Sequence, residues 1–165
     1  MAAGKQLTGA GLRGQVAGKT SLSTVGKSGS GLTYRGYDVS ELAEQCIFEE
    51  VAYLLLYGEL PTQAQLDEYK ATLKQLRDLP QALKDVLERI PQDAHPMDVL
   101  RTAVSVMGTI LPEKEDHNVA GAKDIADKLL ASLSSALLYW YHFSHNGKQI
   151  DVETDDDSIG AHFLH

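Results

Sequence analysis

The chain has 165 residues, with 15 lysines and arginines against 23 aspartates and glutamates, a formal net charge of −8. One domain with a buried core is expected at this length, and the acidic balance argues against nucleic acid as a partner, because phosphate binding needs clustered positive charge. The single cysteine, Cys46, excludes an internal disulfide and is typical of a reducing compartment. Its apolar flanks favour a buried side chain over a nucleophile.

The first residues indicate no export or membrane anchoring. Residues 1–19 are rich in glycine, are predicted to be flexible, and lack the apolar stretch of a secretory signal. No run reaches the roughly 18 apolar residues typical of a membrane span. Residues 20–165 are therefore predicted to form one continuous unit without an inner domain boundary.

Two short strands are predicted first, over residues 20–25 and 32–35, joined by a glycine-rich turn. Nearly all of the chain after Gly36 is predicted to be helical. Asp38 and Glu41 form a capping box for a short helix. A second helix covers residues 48–57 and ends at Gly58, which is well placed for a left-handed C-cap.

Three more helices follow, each marked by proline. Thr62, after Pro61, starts a third helix, and Pro80 starts a fourth that ends before Pro91. The third is amphipathic, with apolar positions at Leu66, Tyr69, Leu73 and Leu76. His95 and Pro96 open a fifth, which Pro112 stops. Its buried face is predicted to contain Met97, Leu100, Val104, Met107 and Leu111.

The longest helix is predicted over residues 117–145, with Asn146 and Gly147 as its end. Its second half is apolar on most sides, which is typical of a helix inside a larger protein. Residues 155–165 begin with an acidic capping signature and then turn apolar without a helix-ending signal. Both features favour the front part of a longer protein.

Several motifs resemble sites. Residues 14–20 are one residue short of the phosphate-binding loop G-x-x-x-x-G-K-[ST], and Gly26-Lys27-Ser28 has Ser21 where the first glycine belongs. Neither precedes an apolar helix, so both are interpreted as turns. The acidic run at residues 155–157 is interpreted as a helix start, with a metal site as the alternative.

The six histidines offer one candidate metal group. His142 and His145 share a helix face, and Asp151 and Glu153 follow them. The alternative, which we favour, is that these histidines are solvated or cap the helix end. His95 is expected to hold a helix entrance. No carboxylate is paired with a histidine at a spacing that indicates acid–base catalysis.

Three blocks together resemble the citrate synthase family. They occur in family order and spacing, and the likeness extends from about Gly11 onward. The blocks are residues 32–43 (LTYRGYDVSELA), 48–61 (FEEVAYLLLYGELP) and 95–105 (HPMDVLRTAVS). Within the family, the chain looks closest to the bacterial 2-methylcitrate synthases. That likeness lies in residues 126–135 (ADKLLASLSS), 139–142 (YWYH), 144–147 (SHNG) and 153–160 (ETDDDSIG).

The resemblance implies the N-terminal part of a mainly α, multi-helical large domain with a short β-hairpin near its start. It implies a cytoplasmic homodimer that condenses oxaloacetate with propionyl-CoA, or alternatively acetyl-CoA, without a metal or cofactor. In the family an aspartate removes a proton beside the thioester, two histidines stabilise the enolate and polarise the ketone, and arginines hold the carboxylates.

The family's catalytic motifs lie beyond residue 165, so no catalytic residue is assigned here. His95 and Arg101 fall within a family motif that we interpret as structural. The same interpretation holds for Tyr34 to Tyr37, where Arg35 is expected to pin a turn. Two hypotheses of different classes follow: part of an acyl-CoA-condensing enzyme, inactive alone, or a non-catalytic helical scaffold that uses an enzyme-like front half.

Overall fold

The computed structural model describes residues 16, 18–26, 31–111 and 119–164, which form a small sheet followed by helices. The strands are β1 (Ser23–Val25), β2 (Leu32–Tyr34) and β3 (Tyr37–Asp38). The helices are α1 (Val39–Gln45), α2 (Phe48–Tyr57), α3 (Gln63–Gln75), α4 (Gln81–Leu87), α5 (Pro96–Ile110), α6 (Val119–Asn146) and α7 (Ile159–Leu164). The predicted mainly helical fold with an N-terminal hairpin is confirmed.

The sheet is antiparallel, with strand order β1-β2-β3. The predicted hairpin of β1 and β2 is present, but β3 was not predicted. Tyr34 pairs with Tyr37 across a two-residue turn made by Arg35 and Gly36. Both turn residues have positive φ, 50° and 96°, as a type I′ hairpin turn requires. The turn therefore converts what looked like the end of a strand into a second hairpin.

The predicted helix caps at Asp38, Thr62 and Gly58 are confirmed. The side chain of Asp38 accepts a hydrogen bond from the Ser40 amide, and Thr62 accepts one from the Gln65 amide. Gly58 ends α2 with φ of 104°. The two hydrogen bonds satisfy backbone amides that have no partner within the helix. Each cap involves residues that are at most four positions apart in the sequence. Local sequence is therefore sufficient to place them.

The main core lies between α4, α5 and α6. It is formed by Leu79, Leu83, Leu87, Val99, Ala103, Met107, Ala136, Tyr139, Trp140 and Val152. Val152 belongs to the extended segment after α6, so this segment crosses over the core. A smaller cluster of Tyr69, Leu73 and Ala131 packs α3 against α6. In the part of the chain that the structure describes, no helix is long and apolar enough to cross a membrane.

Of the predicted buried face of α5, Met107 is buried and Leu100 is half-buried, but Met97, Val104 and Leu111 are exposed. The buried residues are Val99, Ala103 and Met107, at a spacing of four, whereas Met97 is 64% exposed. The reason lies in the partners of α5: the small side chain of Ala103 faces the core shared with α4 and α6. Larger apolar side chains outside this stripe remain exposed, among them Val104 and, directly after the helix, Leu111.

The second half of α6, which is apolar on most sides, is largely covered by other helices of this chain. Helices α3, α4, α5 and α7 all contact α6. In the described part of α6, Tyr141 is the only large apolar side chain that is clearly exposed. Other exposed apolar side chains include Phe48, residues of α5, and Phe163 and Leu164 of α7.

Candidate functional site

The predicted histidine and carboxylate group does not form a site. Among the described residues, no three His, Cys, Asp or Glu side chains come together as a metal ion would require. His145 Nδ1 lies 3.1 Å from the Tyr141 carbonyl at the end of α6, and its ring stacks on Tyr141. This contact matches the helix-end interpretation. His142 borders a small cavity together with Asp151.

The family-motif residues make structural contacts. Arg35 donates to the Leu55 carbonyl in the last turn of α2, at 2.8 Å, and to Ser21 Oγ. Its positive charge therefore lies at the negative end of the α2 dipole. His95 Nδ1 accepts from the Met97 amide as the N-cap of α5, and Arg101 is an exposed residue paired with Asp98. Arg35 pins a turn and His95 caps a helix, as expected.

The two glycine-rich motifs lie partly outside the described residues. Of the first, residues 14, 15 and 17 are not described, and a strand rather than a helix follows it. Of the second, Lys27 and Ser28 are not described. Cys46 is a half-buried free cysteine, and burial, followed by the charge of Glu50, raises the pKa of its thiol. A raised pKa reduces the thiolate fraction and disfavours a nucleophilic role.

The acidic run at residues 155–157 does not cap α7. Ser158 Oγ accepts the hydrogen bond from the Ala161 amide and is the capping group. Asp155 and Asp157 instead lie within 3.8 Å and 3.6 Å of Lys74 Nζ on α3. These carboxylates therefore tie the segment before α7 to α3.

A buried polar cluster dominates this region. It consists of the buried residues Glu49, Arg77, Ser135 and His162 together with the half-buried Thr154 and Asp156. Arg77, which follows α3, is 2% exposed. Its Nη1 donates to the Thr154 carbonyl at 2.8 Å, and its Nη2 donates to the Ser158 carbonyl at 3.2 Å. Burial lowers the pKa of the guanidinium, and the carboxylates of Asp156 and Glu49 oppose this shift.

His162 is the second anchor of the cluster and is 1% exposed. Its Nδ1 lies 3.0 Å from Thr154 Oγ1, and its Nε2 lies 3.0 Å from Ser135 Oγ. Thr154 donates its only hydroxyl proton to Asp156 at 2.6 Å, so it must accept from His162. This arrangement places a proton on Nδ1 of His162.

Glu49 completes the cluster from α2. Its carboxylate accepts the Ile159 amide at 2.8 Å, although 110 positions separate the two residues. Glu49 is 2% exposed, so a buried charge is directed at the first amide of α7. The cluster thus joins α2, α3 and α6 to the segment 150–164.

The cluster is not shaped for turnover of a substrate. Ser135 and His162 resemble a nucleophile and its base in distance, but both are essentially inaccessible. The cavity beside them, lined by Leu138, His142, Thr154 and His162 among others, has about 30 Å³. That volume holds roughly one water molecule. The cluster can therefore position chain segments but cannot admit an acyl-CoA or an oxo acid.

A second buried carboxylate, Asp127, holds α6 against α2 and α3. It accepts from Tyr57 Oη at 2.5 Å and from Tyr69 Oη at 2.8 Å. Burial, followed by hydrogen bonding to the carboxylate and its charge, raises the pKa of both phenols. Tyr139 makes a similar bond to Glu88, and burial raises its pKa to about 12.

These buried charges were missed by the sequence analysis, although a signal was present. Arg77 continues the spacing of the buried positions Leu66, Tyr69 and Leu73 on α3. Asp127 lies four residues before Ala131, which lies four before Ser135, all of them buried. A polar residue that falls in register with an apolar stripe is a candidate for a paired interior group.

Fold and site together define a mainly helical protein in which buried polar groups fix the arrangement of the chain. The family model described as "Citrate synthase, C-terminal domain" matches residues 11–165. The chain is 66% identical, over all 165 residues, to the 2-methylcitrate synthase of Shewanella oneidensis, of which it covers 43%. The chain therefore belongs to the citrate synthase family.

Two further comparisons agree. The chain is 40% identical over 154 residues to 2-methylcitrate synthase 1 of Corynebacterium glutamicum, covering 93% of this chain and 40% of that protein. The crystal structure of the citrate synthase of Pyrobaculum aerophilum superposes with a TM-score of 0.76 at 32% identity, over 93% of this chain and 40% of that one. The chain thus spans less than half the length of these relatives.

Proposed function

We propose that the chain is the N-terminal part of a 2-methylcitrate synthase that converts propionyl-CoA, oxaloacetate and water to 2-methylcitrate and CoA during propionate breakdown. The supporting observation is the 66% identity to the Shewanella oneidensis enzyme over the whole chain. In this proposal residues 20–165 are one part of a larger helical domain. The catalytic aspartate and histidines implied by the family resemblance would come from the remainder of the protein.

The described residues would serve this enzyme as scaffold. The charged groups that are most deeply buried, Glu49 and Arg77, direct their hydrogen bonds at the chain's own backbone. Asp127 is likewise occupied by two tyrosines. Groups held in this way define the position of α6 and α7, and their burial keeps them out of reach of a substrate carboxylate.

A chimera tests the proposal. The part of the Shewanella oneidensis enzyme that this chain matches is replaced with residues 1–165, and CoA release from propionyl-CoA and oxaloacetate is followed with a thiol reagent. We expect the chimera to be active and the 165-residue chain alone to release no CoA. The unmodified enzyme and the enzyme lacking the matched part are the controls. A soluble chimera without activity would contradict the proposal, as would turnover by the pure chain.

Citrate synthase is the alternative within the family, supported by the similarity to the Pyrobaculum aerophilum structure. The two activities differ by one methyl group on the acyl donor. We expect a higher kcat/KM for propionyl-CoA than for acetyl-CoA when both are assayed on the complete protein that carries this sequence. The reverse order would favour citrate synthase.

We also propose that the complete protein is a cytoplasmic homodimer, as the family resemblance implies. The exposed apolar side chains of α5, Met97 and Val104, offer surface for such an association. The unpaired Cys46 is consistent with a reducing compartment. Light scattering on the active chimera, which should give the mass of two chains, tests the assembly. Cell fractionation tests the location.

A non-catalytic scaffold is the alternative of another class. It predicts that the natural protein has an intact mass near 18.0 kDa, the mass of these residues alone. The enzyme proposal predicts a mass more than twice as large. Mass spectrometry of the protein isolated from its source therefore separates the two functions without an activity assay.

A further inference from the structure

The segment between α6 and α7 is attached to the rest of the fold in an unusual way. This segment, residues 148–158, is called the strap below. It begins after Gly147, which ends α6 with φ of 64°. Between residues 149 and 157, no amide or carbonyl forms a hydrogen bond with the backbone of any other described residue. The strap therefore lacks the ladder that normally holds an extended segment.

Side chains of other elements hold the strap and α7 instead. Arg77 donates to the carbonyls of Thr154 and Ser158, and Lys74 donates to the Asp155 carbonyl at 2.6 Å. Glu49 accepts the Ile159 amide. The few apolar anchors are Ile150, Val152 and Ile159. Attachment is thus concentrated in a small number of charged groups rather than spread along the backbone.

Arg77 is the central group of this attachment. Among the described residues it is the one buried cation, and it reaches both Thr154 and Ser158. Its two terminal nitrogens contact neutral carbonyls, and Nη1 also contacts the Thr154 hydroxyl, rather than a carboxylate. Its Nε is buried and has no hydrogen-bond partner among the described residues. A buried cation held mainly by carbonyls is costly to desolvate, so its contribution depends on all of these contacts being made together.

We infer that the strap and α7, residues 148–164, form a latch that opens as one unit while α3 to α6 stay folded. Arg77 and Thr154 close it. The unit is separable because α3 to α6 are held by their own apolar clusters, to which residues 148–164 contribute one fully buried side chain, Val152. Segments with few buried apolar contacts and few backbone hydrogen bonds are those that open locally in native proteins.

Hydrogen exchange followed by mass spectrometry on the complete protein that carries this sequence tests the latch. Arg77→Met removes the guanidinium and keeps most of the apolar stem. We expect exchange of amides in residues 159–164 to become at least about tenfold faster, because more than one hydrogen bond to a charged group is lost. Amides in the middle of α5 and α6 should keep their wild-type rates. Thr154→Val, which removes the hydroxyl shared by Arg77, His162 and Asp156, should accelerate the same amides.

Arg101→Met is the matched control, because Arg101 is an exposed arginine of α5 that forms an ion pair with Asp98. It should leave exchange in residues 159–164 unchanged. Equal acceleration in α5, α6 and α7 in both latch variants would overturn the inference, since the strap would then open only when the whole fold does. Unchanged exchange in α7, or a wild-type chain without protection in α5 and α6, would overturn it as well.

Discussion

The phenol of Tyr69 donates a 2.8 Å hydrogen bond to the carboxylate of Asp127, 58 positions further along the chain. Tyr57 donates to the other oxygen of the same carboxylate across 70 positions. One buried acid therefore links α2, α3 and α6. Because one carboxylate accepts both hydrogen bonds at once, this link is stronger than two hydrogen bonds between neutral groups would be.

Asp127→Asn should lower the free energy of unfolding by about 1–3 kcal/mol. The amide group keeps the shape of the carboxylate but offers one acceptor oxygen for two phenol donors, so one buried hydrogen bond is lost or inverted. The measurement is urea unfolding followed by circular dichroism. Asp124→Asn, an exposed change one turn earlier on α6, should have an effect below about 0.5 kcal/mol. Equal effects of the two variants would contradict the structural role of Asp127.

Stability should fall as the pH rises above 10. The pKa values of Tyr57, Tyr69 and Tyr139 are raised above the ordinary value of 10.0 in the folded chain. In the unfolded chain these phenols lose their protons near pH 10, whereas the folded chain retains them. The unfolded state then binds fewer protons, so the unfolding free energy decreases with pH.

The urea midpoint measured between pH 8 and pH 11.5 checks this expectation. Tyr69→Phe should make the decline above pH 10 shallower, because one raised pKa is removed. Tyr37→Phe, at an exposed tyrosine of β3, should leave the slope as it is. A midpoint that stays constant to pH 11.5 in the wild-type chain would show that the buried phenols do not retain their protons.

Replacement of Gly58 and of Gly108 by alanine should change the stability of the chain in opposite directions. A Cβ would meet no atom within 4 Å at either position, but Gly58 has φ of 104°. Gly58→Ala should therefore destabilise the chain by about 1 kcal/mol through backbone strain. Gly108→Ala, in an exposed part of α5, should stabilise it by up to about 1 kcal/mol. Thermal unfolding of both variants measures the difference, and equal signs would refute the left-handed cap.

Replacing valine by alanine at two positions of α5 tests which face of this helix is buried. Val99 is fully buried and Val104 is 38% exposed. Val99→Ala should cost about 2 kcal/mol, from lost transfer energy and the cavity left behind. Val104→Ala should cost less than about 0.5 kcal/mol in the isolated chain. Urea unfolding of the two variants should separate them clearly. A larger effect at Val104 would restore the face that the periodicity predicted.

Helix boundaries and turns could be predicted because their causes are local. The caps at Asp38, Thr62 and Gly58 depend on bonds or dihedral angles within four residues. The same is true of the end of α6 at Gly147. The strand β3, which was not predicted, also has a local cause, because Arg35 and Gly36 have the positive φ values of a two-residue hairpin turn.

The buried polar cluster could be suspected from Arg77 and Asp127 in register with apolar stripes, but its partners could not be named. Glu49 contacts Ile159 across 110 positions, and Arg77 contacts Thr154 across 77. Nothing in the spacing of either pair fixes such a contact, because it forms only when α2, α3 and α6 have packed.

By itself, then, the sequence determined where helices begin and end, which class of fold they build and which family they resemble. Tertiary packing alone decided which face of α5 is buried, since the choice between Val99 and Val104 depends on the neighbours α4 and α6. It also decided that the strap is held by Arg77 and Glu49. A buried charge is stable only with partners that satisfy it, and here those partners are brought together by the packing of distant elements.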